Sequence, residues 1–311
     1  MARTPIALLT YNRPRHTARL LTALSRCTGL DRCALTIYCD APKSAAQAEA
    51  VEGNRAIARD WASRLDASLV ERQENLGLAR SIVGAVSRHV SSAGRVIVLE
   101  DDLVPTPDFL EFMLAGLETY ADNTEVAQIS GCLLPDEFPA RHDGLFLPLT
   151  TTWGWATWGR AWSDFRWDVD AAELDDDPAF RGRFTLDGTV DYVSMLRNRV
   201  TGGNDSWGIL WWFAVARANK LVLYPRESLI WNGGFDNSGV HCGGTEEFQP
   251  DPPVRFRSPR LGERQIRLPL AAEADSEALA AVRRHLGGSP EIQLKPRGPI
   301  ANWIGRLRRR G

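Results

Sequence analysis

The sequence predicts an α/β protein with a mostly parallel sheet flanked by helices and a second lobe built onto its later half. Two observations predict it. Over the first hundred residues, short apolar runs alternate with amphipathic segments. Beyond residue 103 this alternation gives way to loops rich in Trp, Gly and Asp. Because parallel strands need crossover connections, the regular first part favours a doubly wound sheet.

The first part of the chain contains four predicted strands. PIALLT predicts a buried strand, and RHTARLLTALSRC predicts an amphipathic helix with Leu20, Leu21 and Leu24 on one face. ALTIYCD predicts the second strand, and an alanine-rich helix follows it through Trp61. SLVERQ and LARSIVGAVSRHV repeat the strand–helix pair, and RVIVLEDD supplies the fourth strand.

The later part of the chain is less regular. Residues 107–122, 188–201 and 206–219 predict helices, and EVAQIS and KLVLYP predict strands. From Gln249 onward Pro and Arg dominate, which predicts an extended segment before a short helix over Asp275–Leu286. This organisation predicts a domain over 1–248, with halves 1–103 and 104–248, and an extension over 249–311.

Composition restricts the class of partner and the compartment. A formal net charge of −2 gives no general reason to expect a nucleic acid partner. The five cysteines are odd in number and lack C-x-x-C spacing, which favours reduced cytoplasmic thiols over disulfides or a zinc site. The first residues contain too short an apolar run for a signal peptide, and no segment approaches the roughly 20 apolar residues of a membrane span. We therefore expect a cytoplasmic protein.

The basic tail is a candidate for peripheral contact with a membrane. KPRGPIANWIGRLRRRG, over 295–311, contains six basic residues and no acidic one, with Trp303, Ile304 and Leu307 among them. Such a segment can lie on anionic lipid as a peripheral helix at the inner face of the membrane. A solvated terminus is the commoner outcome for a sequence of this kind.

Three consecutive carboxylates, Glu100, Asp101 and Asp102, end the fourth predicted strand. A buried strand normally ends in turn residues, because carboxylates at the edge of an apolar core lose hydration and repel one another. A hard divalent cation with oxygen ligands would stabilise the arrangement. Acidic residues also cap helices and occupy loops. However, ligands in open α/β sheets bind at the carboxyl ends of strands, which favours the cation.

Three further stretches contain candidate site residues. In TTTWGWATWGRAW, Gly154 lies between aromatic residues, as expected where the backbone approaches a ligand closely. GGNDSWGILWWF places Asp205 after a glycine pair at a predicted helix start, where an N-cap is the alternative role. In WNGGFDNSGVHCGG, His241 follows a strand and several glycines, and an ordinary loop histidine is the alternative.

Taken in this order, the four stretches resemble the glycosyltransferases of the Rossmann-like GT-A fold. LEDDLVPTPDFLEFM is similar to the Glu-Asp-Asp metal motif and Pro-Asp-Phe helix start of the N-acetylglucosaminyltransferase I family. WGWATWG is similar to a segment of bacterial family-2-like sugar transferases of surface-polysaccharide pathways. The resemblance covers residues 4–245. It implies transfer of a sugar from a UDP-sugar, with UDP-GlcNAc as one candidate, to a hydroxyl of a glycan or glycolipid acceptor.

The resemblance also implies a metal and nucleotide site. Asp102 would ligate Mn²⁺ or Mg²⁺, while Glu100 and Asp101 would orient the donor and the metal's waters. The residues implied to hold the uridine or complete the nucleotide site are Arg13, Asp40, Asn75 and Arg80.

On the acceptor side, the resemblance implies that Trp153, Gly154 and Trp155 line the site. Asp205 would be the catalytic base. His241 would assist the metal or the diphosphate.

Elementary chemistry agrees with these implied roles. Displacing a nucleoside diphosphate develops negative charge on the leaving oxygens, which a divalent ion stabilises as a Lewis acid. The incoming hydroxyl must lose a proton, and one carboxylate within about 3 Å can accept it. A single base on the face opposite the leaving group gives inversion.

Two other functions are alternatives to the transferase. A sugar-nucleotide pyrophosphorylase also pairs an α/β nucleotide site with carboxylates, but it usually has a glycine-rich basic loop after its first strand. LLTYNRPRHT contains no glycine, which counts against it. A non-catalytic carbohydrate-binding protein on a transferase fold is the second alternative. The retained acidic and histidine groups count against that function.

Overall fold

The structure is a computed structural model of the 311-residue chain, and it describes residues 2–134, 138–234, 252–261 and 265–288. In chain order the helices and strands are β1 (Thr4–Thr10), α1 (Pro14–Leu24), β2 (Cys33–Cys39), α2 (Ala48–Leu65), β3 (Ser68–Glu71), α3 (Gly77–Ala93), β4 (Arg95–Glu100), β5 (Leu103–Pro105), α4 (Phe109–Thr119), β6 (Val126–Ser130), β7 (Gly144–Leu147), β8 (Trp155–Trp158), α5 (Gly159–Trp162), α6 (Glu173–Asp176), α7 (Pro178–Phe184), α8 (Tyr192–Val200), α9 (Trp207–Arg217), β9 (Leu221–Pro225), β10 (Ile230–Asn232) and α10 (Ser276–Gly288).

Eight strands of the described ranges form one sheet, in the order β3-β2-β1-β4-β8-β6-β9-β7. β3, β2, β1 and β4 pair in parallel, and β6 pairs in parallel with β9. β8 is antiparallel to both of its neighbours, and β7 is antiparallel to β9 at the edge. Most strands therefore point in one direction. The predicted fold class, an α/β protein with a mostly parallel sheet flanked by helices, is confirmed.

The first half of the sheet follows the predicted alternation of strands and helices. All four predicted strands are present, and β1 lies between β2 and β4 with every one of its residues buried. β1 is central because its short apolar run has no polar face to expose.

The strand β8 was not predicted. It arises from the WGWATWG segment and pairs with β4 and β6, so that Val98 lies opposite Trp155. β8 is only four residues long, and its burial comes from strands distant in sequence. A local periodicity therefore could not reveal it. β8 joins the nucleotide-side strands to the later half of the chain.

A cluster of tryptophan rings joins the sheet to the later helices. Trp155 of β8 is fully buried and stacks on Trp207 of α9, with ring centroids 5.4 Å apart. Trp162 and Trp211 lie within 6.2 Å of the same ring. Aromatic rings pack favourably in such offset arrangements. The tryptophan cluster therefore fixes α9 against the back of the sheet.

The described part of the C-terminal extension packs onto the domain. The Asp108 carboxylate accepts hydrogen bonds from the backbone N–H groups of Arg260, at 2.7 Å, and Leu261, at 2.6 Å. α10 buries Ala278 and Val282 against the core. α10 matches the helix expected over Asp275–Leu286. The tail at 295–311 lies outside the described residues, so its membrane contact stays a prediction.

Burial of the cysteines agrees with the expected free thiols. Cys27, Cys33, Cys39 and Cys132 are buried and unbridged. Cys242 lies outside the described residues. Among the helices described, none is both long enough and apolar enough to cross a membrane.

A buried histidine makes the stability of the sheet depend on pH. His89 of α3 lies with its Nε2 atom 3.0 Å from the hydroxyl of Tyr38 in β2. Burial, with a smaller contribution from the charge of Arg88, lowers the pKa of His89 below its ordinary value of 6.5. The unfolded chain therefore takes up this proton at a higher pH than the folded protein. The contribution of neutral His89 is complete above its unfolded pKa and is lost as the pH falls.

We expect His89→Gln, which keeps a polar side chain but cannot titrate, to reduce this pH dependence. Urea unfolding from about pH 8 to about pH 5 should show a steeper loss of unfolding free energy in the wild type than in the variant. The measured quantity is the difference between the two proteins, because carboxylates titrate in both. Parallel curves for the two proteins would show that His89 is not the group responsible.

Candidate functional site

The candidate site lies at the carboxyl ends of β1, β2 and β4. Leu9 lies opposite Glu100 in the register of β1 and β4, and Thr10 lies opposite Cys39 in the register of β1 and β2. The segments that follow these three strands therefore leave the sheet at one edge. This edge brings together Arg13, Asp40 and the three carboxylates.

Arg13 connects two of the carboxylates. Its Nη2 atom donates to Oδ1 of Asp101 and lies 3.0 Å from Oδ2 of Asp102. The Asp101 side chain is only 4% exposed, whereas that of Asp102 is 17% exposed. Asp102 is thus the aspartate whose oxygens a ligand can reach. Arg13 was expected to hold uridine, but the structure places its guanidinium against the acidic residues.

The carboxylates carry more negative charge than Arg13 balances. Burial, reinforced by the charges of Asp102 and Asp101, raises the pKa of Glu100 to about 8. Burial is also the main cause of the raised pKa of Asp101, which Arg13 opposes. Burial acts to lower the pKa of Arg13, but the two aspartates outweigh it and raise that pKa, so the guanidinium stays charged. A further cation would relieve the repulsion that remains.

The donor set fits a cation that is shared with an anionic ligand. In the part of the chain that the structure describes, no group of three or more His, Cys, Asp or Glu side chains forms a protein-only metal cage. Mg²⁺ is usually held by one or two carboxylates, together with waters and substrate phosphates. Asp102 supplies one accessible hard oxygen ligand of that kind. His241, the other predicted metal residue, lies outside the described residues.

The WNGG segment, residues 231–234, begins in β10 and covers the site. β10 pairs with β5, so Asn232 lies opposite Leu103, next to the carboxylates. The backbone N–H of Gly233 donates to the carbonyl of Asp102 at 2.8 Å. A Cβ atom on Gly234 would collide with Oδ2 of Asp102. Glycine at this position therefore allows the chain to pass directly over the Asp102 carboxylate.

Two basic residues of α1 also reach this segment, and the sequence analysis missed both. Nε2 of His16 lies 3.4 Å from the carbonyl oxygen of Gly233. The guanidinium of Arg19 lies 4.7 Å from the centroid of the Trp231 ring. Arg13, His16 and Arg19 follow one another at intervals of three residues, which places them on one face of a helix. That spacing was a readable signal in the sequence.

Asp40 holds the loop between β3 and α3 in place. Its Oδ1 accepts from the backbone N–H groups of Ala41 and Leu76, and its Oδ2 accepts from that of Gly77, each at 3.0 Å. Asn75 donates to the carbonyl of Ala41 at 2.6 Å. Asp40 therefore ties the end of β2 to the start of α3 and satisfies N–H groups that a helix start leaves unpaired. Its implied contact with uridine stays a prediction.

Two arginines lie on either side of this loop. Nη1 of Arg72 lies 4.0 Å from Asp40, and Arg72 also hydrogen-bonds the hydroxyl of Ser81. Arg80 is exposed on the first turn of α3. Arg72 was not among the predicted site residues, although it follows β3 as Asp40 follows β2.

An uncharged cleft of about 250 Å³ is formed by the later half of the chain. Its lining combines apolar rings and chains with hydroxyl groups, and none of the lining side chains is charged. The lining residues are Leu134, Thr150, Thr151, Thr152, Trp153, Tyr192, Met195, Ser206, Gly208, Ile209 and Trp212. Trp153 is one of these lining residues, and its contact with an acceptor stays a prediction.

Asp205 lies beside this cleft, immediately before the lining residue Ser206. Asp205 is exposed. The N-cap of α9 is Ser206, whose hydroxyl accepts from the N–H of Ile209 at 3.4 Å. The alternative role of Asp205 as the helix cap is therefore wrong. Its role as catalytic base stays a prediction.

The structure corrects the expectations for Gly154 and Trp155. Trp155 is fully buried in the tryptophan cluster, so its ring does not line the cleft. Gly154 has φ +64°, and a Cβ atom there would lie 2.7 Å from two carbon atoms of Ile230. The glycine is required by packing against the protein's own core. The sequence pattern alone does not reveal that Trp155 is buried, because its burial depends on packing against α9.

Hydrogen bonds fix the threonine wall of the cleft, which residues 150–152 form. Trp211 donates from Nε1 to Oε1 of Gln128 at 2.6 Å, and Gln128 donates from Nε2 to the carbonyl of Thr151 at 2.6 Å. The Thr151 hydroxyl donates to the carbonyl of Cys132 at 3.0 Å. This chain of buried and partly buried hydrogen bonds holds the wall in place.

Comparisons with known proteins give partial structural likenesses. No family model matches the sequence, and no curated protein matches it. TarS of S. aureus is 12% identical over 48% of this chain, with a TM-score of 0.35. The mannosyltransferase PcManGT of Pyrobaculum calidifontis, solved with GDP-Man and Mn²⁺, is 16% identical over 70% of this chain and 73% of its own, with a TM-score of 0.40.

A third likeness is to glucosyl-3-phosphoglycerate synthase of Mycobacterium tuberculosis, solved with Mn²⁺, UDP and glucosyl-3-phosphoglycerate. It is 13% identical over 50% of this chain and 57% of its own, with a TM-score of 0.31. This chain spans 25% of the length of TarS. All three superpositions are partial, so we take no residue role from these proteins.

We expect Gly154→Ala to lower the free energy of unfolding by about 2–4 kcal/mol, from overpacking and a left-handed backbone together. Gly188→Ala is the matched control. Gly188 also has a positive φ, +80°, but open space around it. This control should lose only about 1 kcal/mol in urea unfolding. Equal losses in the two variants would show that Ile230 does not crowd position 154.

Proposed function

We propose that this chain is a metal-dependent glycosyltransferase of the GT-A type, which transfers a sugar from a nucleotide-sugar to an acceptor hydroxyl. One observation supports the proposal above the others. A partly exposed aspartate, Asp102, extends from a group of buried carboxylates at the carboxyl end of β4, where α/β sheets bind ligands. The excess of negative charge there calls for a cation, and an anionic diphosphate would complete its coordination.

Asp102 would hold the cation, Mn²⁺ or Mg²⁺, through its accessible carboxylate. The bound cation would stabilise, as a Lewis acid, the negative charge that develops on the leaving diphosphate. Asp101 is already tied to Arg13, so its part is to hold the local geometry. Glu100, whose pKa burial raises to about 8, would be largely neutral near pH 7 without the cation, and a bound cation would favour its ionised form.

The nucleotide would lie over the ends of β1 and β2. Asp40 shapes the loop of Asn75 and Gly77 there, and Arg72 and Arg80 supply positive charge beside it. We propose UDP as the nucleotide, following the motif likeness, with UDP-GlcNAc as one candidate donor. Hydroxyl-specific discrimination among UDP-sugars requires a few placed hydrogen bonds.

The acceptor would occupy the uncharged cleft. Trp153 offers an aromatic surface for a sugar ring, and the threonine wall offers hydroxyl partners. No lining side chain would balance a charge on the bound acceptor group, which favours a neutral saccharide of a glycan or glycolipid. Asp205, beside the cleft, would accept the hydroxyl proton. A role in surface-polysaccharide synthesis at the cytoplasmic side of the membrane belongs to the same proposal.

We expect UDP and Mn²⁺ together to stabilise the wild-type protein in thermal unfolding. At a ligand concentration of about one hundred times the dissociation constant the gain is about 3 kcal/mol. Asp102→Asn should abolish the metal-dependent part of this gain, because a neutral amide is a poor ligand for a hard cation. Asp60→Asn, a charge-matched change on the exposed face of α2, should keep it.

Stabilisation by UDP that is unaffected by EDTA and by Asp102→Asn would rule out the proposed metal site. Pyrophosphate release from UTP and a sugar phosphate would support a pyrophosphorylase in place of a transferase. Saccharide binding without any nucleotide affinity would indicate a non-catalytic binding protein.

We expect Asp205→Asn to lower kcat by roughly 10²–10⁴, the usual contribution of a general base. The dissociation constant for UDP with Mn²⁺ should not change, because Asp205 lies on the acceptor side. Asp176→Asn, on exposed α6, is the control and should leave both quantities unchanged. Full sugar transfer by Asp205→Asn would remove Asp205 as the base.

A further inference from the structure

The backbone of Arg13 is placed by two rigid elements, and its side chain makes the contacts with the carboxylates. It lies between the end of β1 and Pro14, the first residue of α1, and its carbonyl accepts the N–H of Thr17 at 3.0 Å. The backbone of Arg13 is therefore fixed. A rotamer change of the long side chain, which is 18% exposed, would not require either element to move.

The position of the guanidinium matters for Asp102. Nη2 of Arg13 lies 3.0 Å from Oδ2 of Asp102 and also contacts Asp101. The backbone of Gly234 also passes so close to the same Oδ2 atom that a Cβ atom there would not fit. The approaches to this oxygen are thus restricted. A divalent cation at Asp102 would be placed close to the charged guanidinium, and like charges repel strongly where water is scarce.

Among the described residues, the structure pairs the guanidinium of Arg13 with two acidic groups, Asp101 and Asp102. A diphosphate would change this balance, because its oxygens accept guanidinium hydrogen bonds as well as carboxylates do. Arg13 could then exchange the Asp102 carboxylate for a phosphate oxygen.

From these contacts we propose that Arg13 is an internal counter-cation that competes with the divalent metal for Asp102 and gives it up when a nucleoside diphosphate binds. Metal and nucleotide then favour each other's binding, since the nucleotide removes the competitor of the metal. Linkage requires the effect to be reciprocal. This inference rests on the proposed function, and it assigns Arg13 a positioning role rather than a contact with uridine.

The test measures binding of Mn²⁺ alone by isothermal titration calorimetry. Arg13→Gln removes the competing charge, so it should bind Mn²⁺ roughly tenfold more tightly than the wild type, within the usual range of coupling effects. The factor by which UDP tightens Mn²⁺ binding should be smaller in this variant than in the wild type, and coordination of the metal by the diphosphate would account for the part that remains. A merely structural arginine would give the opposite result, because its loss would loosen the site.

Arg15→Gln is the matched control. Arg15 lies on the same helix and is exposed, so the variant carries the same change in net charge without contact to the carboxylates. Its affinity for Mn²⁺ should equal that of the wild type. An equal gain in Arg15→Gln and Arg13→Gln would reduce the effect to net charge and overturn the inference.

Arg13→Lys is a second variant that keeps the inference testable if Arg13→Gln does not fold. Thermal unfolding would reveal such a folding defect in Arg13→Gln. A lysine keeps the charge but lacks the planar fork, so it should bind Mn²⁺ more tightly than the wild type and less tightly than Arg13→Gln. Affinities for Mn²⁺ alone at or below the wild-type value in both variants would overturn the inference. Wild-type binding of UDP with Mn²⁺ would still support the proposed function. A wild type that binds neither ligand, alone or together, would overturn both.

Discussion

The repulsion among the carboxylates at the end of β4 is the constraint on which the rest of the site depends. Glu100 ends the mostly apolar strand β4, and Asp101 and Asp102 follow it, where burial alone makes ionised groups costly. The charge requires a complementary group beside the end of β4. Arg13, which follows β1, offsets part of the charge, and Gly233, which follows β10, donates to the backbone of Asp102. The order of strands meets that need, because β1 lies directly beside β4.

The same carboxylates are connected to distant parts of the chain through short elements. The β5–β10 pair brings the WNGG segment back from residue 230 to residue 103. Asp108, a few residues after the carboxylates, holds the backbone at Leu261. The end of β4 is thus a meeting point for three segments far apart in sequence. A change at Asp102 or Gly234 would be felt in all of them, since the contacts leave no spare space.

The acceptor side is built by a different principle. Its wall depends on buried rings and a hydrogen-bonded chain through Gln128 and Thr151, with no charged group in the lining. Under the proposed function, the charged site and the neutral cleft would serve two separate tasks. The charged site would attract and activate a diphosphate, whereas the neutral cleft would accept a saccharide without a competing electrostatic demand.

The sequence by itself determined the strands and helices of the first half, the sheet class and the carboxylate position, because these depend on local periodicity and on the chemistry of neighbouring residues. Asp205 and Trp153 were likewise singled out from their local context, and their roles stay predictions. Only the tertiary structure decided that Trp155 is buried, that Gly154 faces Ile230 and that Arg13 reaches Asp102. Each of these facts depends on pairing between residues tens of positions apart. Such pairing leaves no periodic trace in the sequence, since its energy arises only when the strands have been ordered in the sheet.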